Sequence, residues 1–150
     1  LKPLAVILLA FTLSTANAWE KAAYVAGASV IYAGYDVLVY SPNQWPAGST
    51  EEILFRVSQI VLLGGLTWIL VDKFDWKTGA AFGALYFSWN LDALYYLFYG
   101  RGAWKQEVER NKVTWAKHTP AGWFESPTRA RTLKMQMGIG ITVATLFIVL

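Results

Sequence analysis

The chain has 150 residues, a formal net charge of +3, 55% hydrophobic residues and only 15% charged ones. Soluble domains carry ~45–50% apolar residues, and the surplus here lies in runs too long for a water-soluble core. With no cysteine and a single histidine, His118, one copy cannot assemble a disulfide, a thiolate nucleophile, an iron–sulfur cluster, cysteine-bound zinc or bis-histidine haem, so no metal and no cofactor is expected.

Residues 1–18 have the pattern of a secretory signal: Lys2, an apolar run from Leu4 to Leu13, then Ala16-Asn17-Ala18 as an A-x-A cleavage site. The alternative is an uncleaved first membrane helix. The chain opens on Leu1, and its last apolar run reaches Leu150 without flanking charge, so the natural protein is expected to extend beyond both. Residues 19–150 are read as a single membrane domain with spans at 22–40, 53–71, 79–99 and 135–150. Pro42 stops the first span, because proline lacks the N–H that continues a helix. Ser49 or Thr50 ahead of Glu51 and Glu52 is a helix start with acids in its first turn. From Gly79 to Tyr99 there is no Lys, Arg, Glu or Pro, over a length that a helix needs to cross a bilayer core of ~30 Å. The fold class is therefore all-α: a polytopic helical bundle of four transmembrane helices, with residues 1–18 as signal or fifth helix.

Charge orients it. The loops on one side, 41–52 and 100–134, carry Arg101, Lys105, Arg110, Lys112, Lys117, Arg129, Arg131 and Lys134, against Lys21, Lys73 and Lys77 on the other. The positive-inside bias puts the long loop in the cytoplasm and residue 19 outside, in a plasma membrane, and an exported N-terminal signal requires the same arrangement. Within that loop, residues 103–118 read as an amphipathic interfacial helix with Trp104, Val108 and Trp115 on one stripe. The 100–134 loop holds eight basic and three acidic residues, a charge that attracts anionic lipid or simply enforces orientation. Nucleic acid is not an expected partner, since the basic residues are few and lie against the bilayer.

The polar residues inside the spans carry the functional question. The 22–40 and 79–99 spans run in the same direction and match at an offset of 56 residues, Gly27 with Gly83, Asp36 with Asp92 and Tyr40 with Tyr96; a parallel duplication and chance in two aromatic, Gly/Ala-rich helices both account for this. At 1.5 Å per residue, Asp36, Asp92, Arg56 and Gln59 reach similar depths, roughly 5–12 Å inside the cytoplasmic end. Asp36, Arg56 and Asp92 are thus expected to meet, the planar guanidinium bridging two carboxylates. Helical spacing adds Tyr32 and Tyr40 to the Asp36 face, and Ser88, Tyr95, Tyr96 and Tyr99 to the Asp92 face. An unpaired charge near the bilayer centre costs at least ~2.5–3.5 kcal/mol, so such residues serve either as a binding or proton-relay site or as a packing ion pair. Gly79-x-x-x-Gly83 with Asn90, and Ala23 with Gly27, form small-residue faces for close helix packing, with Asn90 donating across helices.

Three functions follow as expectations: an accessory or assembly subunit of a membrane complex, with a membrane-protein partner or a second copy; a small transporter or ion-path component using Asp36 and Asp92; and a membrane enzyme acting on lipid at the cytoplasmic interface, with Asp92 and His118 as acid–base candidates. No phosphate-binding loop, dinucleotide fingerprint, nucleophile elbow or zinc-protease motif is present.

Overall fold

The structure is a computed structural model that describes residues 16–40, 42–43, 45–46, 48–100, 104–105 and 129–150. Among the described residues it is all-helical. The elements are α1 (Ala16–Tyr35), continued by a π-helical segment, π1 (Asp36–Tyr40), then α2 (Thr50–Lys73), α3 (Trp76–Phe87), α4 (Asn90–Tyr99) and α5 (Ala130–Val149). Three helices are long and apolar enough to cross a membrane: Asn17–Tyr40, Thr50–Lys73 and Ala130–Val149.

Local chemistry explains the ends. Beyond π1, Asn43 closes the helix by donating its backbone N–H to Tyr40 O at 3.1 Å and its side-chain amide to Val39 O at 2.7 Å. Ser49 is the N-cap of α2, its hydroxyl accepting from Glu52 N at 3.2 Å, while the Glu52 carboxylate accepts from Gly48 N at 2.6 Å. This reciprocal arrangement satisfies N–H groups at the helix start, as a capping box does. Asp75 caps α3, accepting from Thr78 N at 2.8 Å and from the Thr78 hydroxyl at 2.9 Å. The cap starts α3 at Trp76, three residues before the expected span. At the other terminus α5 begins at Ala130, so Arg131 and Lys134 are its first turns rather than loop.

The expected 79–99 span is not one helix. It breaks at Ser88-Trp89, where Trp89 adopts the left-handed conformation at φ 67°, ψ 17°, costly for a residue with a Cβ. The Ser88 hydroxyl donates back to Ala84 O at 2.6 Å and Leu85 O at 3.2 Å. Serine competes with the backbone for helix carbonyls in this way. Neither half, at 12 and 10 residues, matches the ~20 residues of a spanning helix.

Packing is inside-out in the manner of a membrane protein. The core is built around Val25, Ala28, Tyr32, Leu70, Ala81, Phe82, Leu91 and Ala144, while large apolar side chains such as Leu38, Val61, Trp68 and Phe87 are exposed. In lipid that exposure carries no hydrophobic penalty. α3 packs most extensively on α5 and α2, and α4 on α1. At the end holding residue 19, Lys21 pairs with Asp75 at 2.6 Å and Lys73 with Glu20 at 3.5 Å. These lysines therefore clasp α1 to the α2–α3 link. Residues 1–15, most of the 103–118 amphipathic segment, and His118 lie outside the described residues; Ala16–Ala18 of the expected cleavage site form the first turn of α1.

Candidate functional site

Two helix irregularities meet at one place. Asp36 is the first residue of π1, a helix form concentrated at functional positions. Asp92 lies in the first turn of α4, immediately past the break, where the unpaired N–H groups of a helix start favour negative charge. Both carboxylates line one cavity of about 350 Å³ together with Tyr40, Phe55, Arg56, Gln59, Trp89, Tyr95 and Tyr96. The two carboxylates that match at the 56-residue offset, Asp36 and Asp92, thus share one cavity, the first at the start of the π-helical segment and the second just past the break.

The polar connections differ from the expected fork. Gln59, buried on α2, donates its amide to Asp36 at 2.5 Å and accepts from the Arg56 guanidinium at 2.9 Å. Arg56 also approaches Glu52 at 3.6 Å, with over half of its side chain exposed. Among the described residues no ion pair within 4 Å joins Arg56 to Asp36 or Asp92. The reason is position on the helix: Arg56 and Glu52 are one turn apart on α2, and that local pairing takes the guanidinium toward the surface. The uncharged amide of Gln59 bridges instead. The guanidinium lies 5.5 Å from the ring centres of both Tyr40 and Phe55, within the range of a cation–π contact.

Aromatic stacking builds the walls. Phe55 stacks on Tyr40 at 5.2 Å and on Tyr35 at 5.8 Å, with Trp45 tilted against it at 5.6 Å. On the other wall Tyr95 stacks on Tyr99 at 5.4 Å, and Tyr96 meets Trp104 edge-on at 5.4 Å. The Tyr35 and Ser58 hydroxyls, 2.5 Å apart, join α1 to α2 beside the cavity. Of the expected site residues, Asp36, Arg56, Gln59, Asp92 and Tyr96 line the cavity. Tyr32 does not: it is buried one turn away, edge-on to Tyr86 at 5.6 Å. Among the described residues no three Asp, Glu or His side chains converge as a metal site would require.

The packing residues also separate. A Cβ on Gly79 would lie 2.5 Å from Val71 Cγ2, so Gly79 is a true close approach to α2; Gly27 and Gly83 have nothing within 4 Å of that position. The expected small-residue faces therefore reduce to one contact. Asn90 donates to Met137 O on α5 at 3.0 Å and to Ser88 Oγ at 2.7 Å. Two partners were not expected from the sequence. Gln136 donates to Phe87 O at 3.2 Å, and Gly140 abuts Ser88 so closely that a Cβ would overlap it. An amide and a glycine on one face of α5, at i and i+4, are the signal that would have found them. Compared with protein-family models, curated proteins and solved structures, the chain matches none.

Proposed function

We propose that this protein is a small transporter or ion-path component of a plasma membrane, using Asp36 and Asp92 in the cavity between α1, α2 and α4. The observation that carries this reading is the convergence of two carboxylates from apolar helices on a single cavity at two helix irregularities. Broken helices place such groups around ion and substrate sites in many transporters. Irregular backbone at membrane depth is tolerated where protein or a water-filled cavity satisfies it. In this arrangement α3 and α4 together form the third of four crossings, about 33 Å end to end at 1.5 Å per residue. The N-terminal end faces outward and the 100–134 loop the cytoplasm, on the Lys/Arg bias. The cavity then opens toward the cytoplasmic side, where Arg56 is exposed.

The test is uptake in proteoliposomes under an imposed pH gradient. Wild type is expected to move protons or a coupled cation, and Asp92→Asn to abolish the movement while inserting normally. Wild-type vesicles no more permeable than empty ones would overturn the reading.

A second reading, an accessory subunit that associates through its helices, is favoured by a separate feature. An open apolar groove between α1 and α2 is lined by Ala23, Gly27, Ile31, Leu66 and Ile69 together with the core residues Ala28 and Leu70. Gly27→Trp is expected to block association with a membrane partner or a second copy in crosslinking, and to leave the Asp92-dependent activity intact.

A further inference from the structure

The cavity has room for more than a proton. Its volume of about 350 Å³ falls in the ~300–1,000 Å³ range of small-molecule sites. Beside the Gln59 amide and the Arg56 guanidinium, its walls carry the carboxylates of Asp36 and Asp92 and the ring surfaces of Tyr40, Trp89, Tyr95 and Tyr96. Calcium and magnesium take a shell of six or more oxygens, to which the ring faces of this wall contribute nothing. An anion would meet two carboxylates, with the single guanidinium drawn off toward Glu52 and Gln59. A weakly hydrated organic cation meets both requirements at once, charge against carboxylate and alkyl groups against ring faces. The structure already holds one delocalised cation in this manner: the Arg56 guanidinium sits over Tyr40 and Phe55.

We propose that this cavity binds a small organic ammonium ion, with Asp92 as its counter-ion and the tyrosines of α4 as its aromatic wall. The inference rests on the reading of the cavity as a transport or ion-path site, and it names the class of cargo. Asp36 is held by Gln59, so it orients the Gln59–Arg56 pair. Among the described residues no cationic side chain lies within ion-pair distance of Asp92, which leaves its carboxyl in the cavity wall to an incoming ammonium.

The test uses the full-length protein purified in detergent. Calorimetric titration with choline chloride is compared with 3,3-dimethyl-1-butanol, the uncharged isostere, and with sodium chloride at equal ionic strength. Choline is expected to bind saturably, with the isostere at least about tenfold weaker. Asp92→Asn is expected to weaken choline by about ten- to a hundredfold, and Tyr95→Leu by about three- to tenfold, in variants whose far-UV circular dichroism matches wild type. Absence of saturable choline binding, or equal affinity for the isostere, overturns the proposal without needing any variant to fold. Asp92-dependent proton movement without choline binding removes the ammonium cargo and leaves the ion-path reading standing. Choline binding by a protein that moves no ion supports the ligand and removes transport.

Discussion

The side-chain amide of Asn90 donates to the backbone carbonyl of Met137 at 3.0 Å, tying the start of α4 to the middle of α5. One residue earlier on α5, Gln136 returns a hydrogen bond to Phe87 O at 3.2 Å, a carbonyl that the break removes from its helical partner. Gln136 thus replaces backbone pairing lost at the break, and Asn90 fastens the adjoining start of α4 to α5. In hydrocarbon an unsatisfied backbone group costs several kcal/mol, so the break depends on α5 being in place.

Replacing either amide should therefore loosen the break. Asn90→Ala and Gln136→Leu are each expected to cost about 0.6–1.7 kcal/mol, the range of interhelical hydrogen bonds in membranes. Because both act on one junction, the double variant should depart from the sum of the singles. Unfolding titrations in mixed micelles measure all three; wild-type stability in both singles would show that the backbone at the break finds other partners.

The glycines offer a contrast within one experiment. At Gly140 a Cβ overlaps the Ser88 side chain, while at Gly27 it meets nothing within 4 Å. Gly140→Ala is expected to destabilise by about 1–3 kcal/mol through overpacking. Gly27→Ala should be neutral or stabilising by up to about 1 kcal/mol from helix propensity. The opposite order of midpoints would refute the packing of α5 against the break.

Asp75 gives a pH dependence outside the spans. Partial burial acts to raise its carboxyl, but the Lys21 ammonium and the Thr78 backbone and hydroxyl donors outweigh that and hold it at about 2, against 3.8 ordinarily. A carboxyl depressed in the folded state stabilises it above the unfolded value, and the contribution fades as pH falls from about 4 toward 2. Asp75 is about a third exposed, so the expected contribution is about 0.5–1 kcal/mol after solvent screening. Asp75→Asn keeps a competent cap and removes the charge. Its stability gap to wild type should be present at pH 7 and close by pH 2; a gap constant with pH would rule out the Lys21 pairing.

Orientation can be read from single cysteines, since the chain has none of its own. Glu51 and Asp72 are exposed at opposite ends of α2. An impermeant thiol reagent added to intact cells should label Asp72→Cys directly and Glu51→Cys only after permeabilisation. Reversed labelling would invert the topology, and labelling of both from outside would deny that α2 spans.

Much of this arrangement is written in the order of residues, but not all of it. Hydropathy runs, the cap at Ser49 and the stop at Pro42 are local signals, and helix rise is regular enough to bring Asp36, Gln59, Arg56 and Asp92 to one level. The break at Ser88-Trp89 is signalled only weakly: Ser88, Asn90 and Asp92 form a helix-start pattern hidden inside an apolar run that has no proline and no glycine between Gly83 and Gly100. Hydropathy averages over it and reads one span.

By itself, the sequence determined that this is a helical chain with apolar helices of membrane length and that the polar residues within its apolar runs come to one level, because hydropathy and rise per residue accumulate along a single chain. Only the tertiary structure decided that Gln59 rather than Arg56 holds Asp36, that Gly140 rather than Gly27 or Gly83 carries a close approach, and that Tyr32 faces the core. Those choices depend on how each helix is rotated about its axis against its neighbours. One residue of difference turns a side chain by about 100°, and neighbours on other helices fix that rotation.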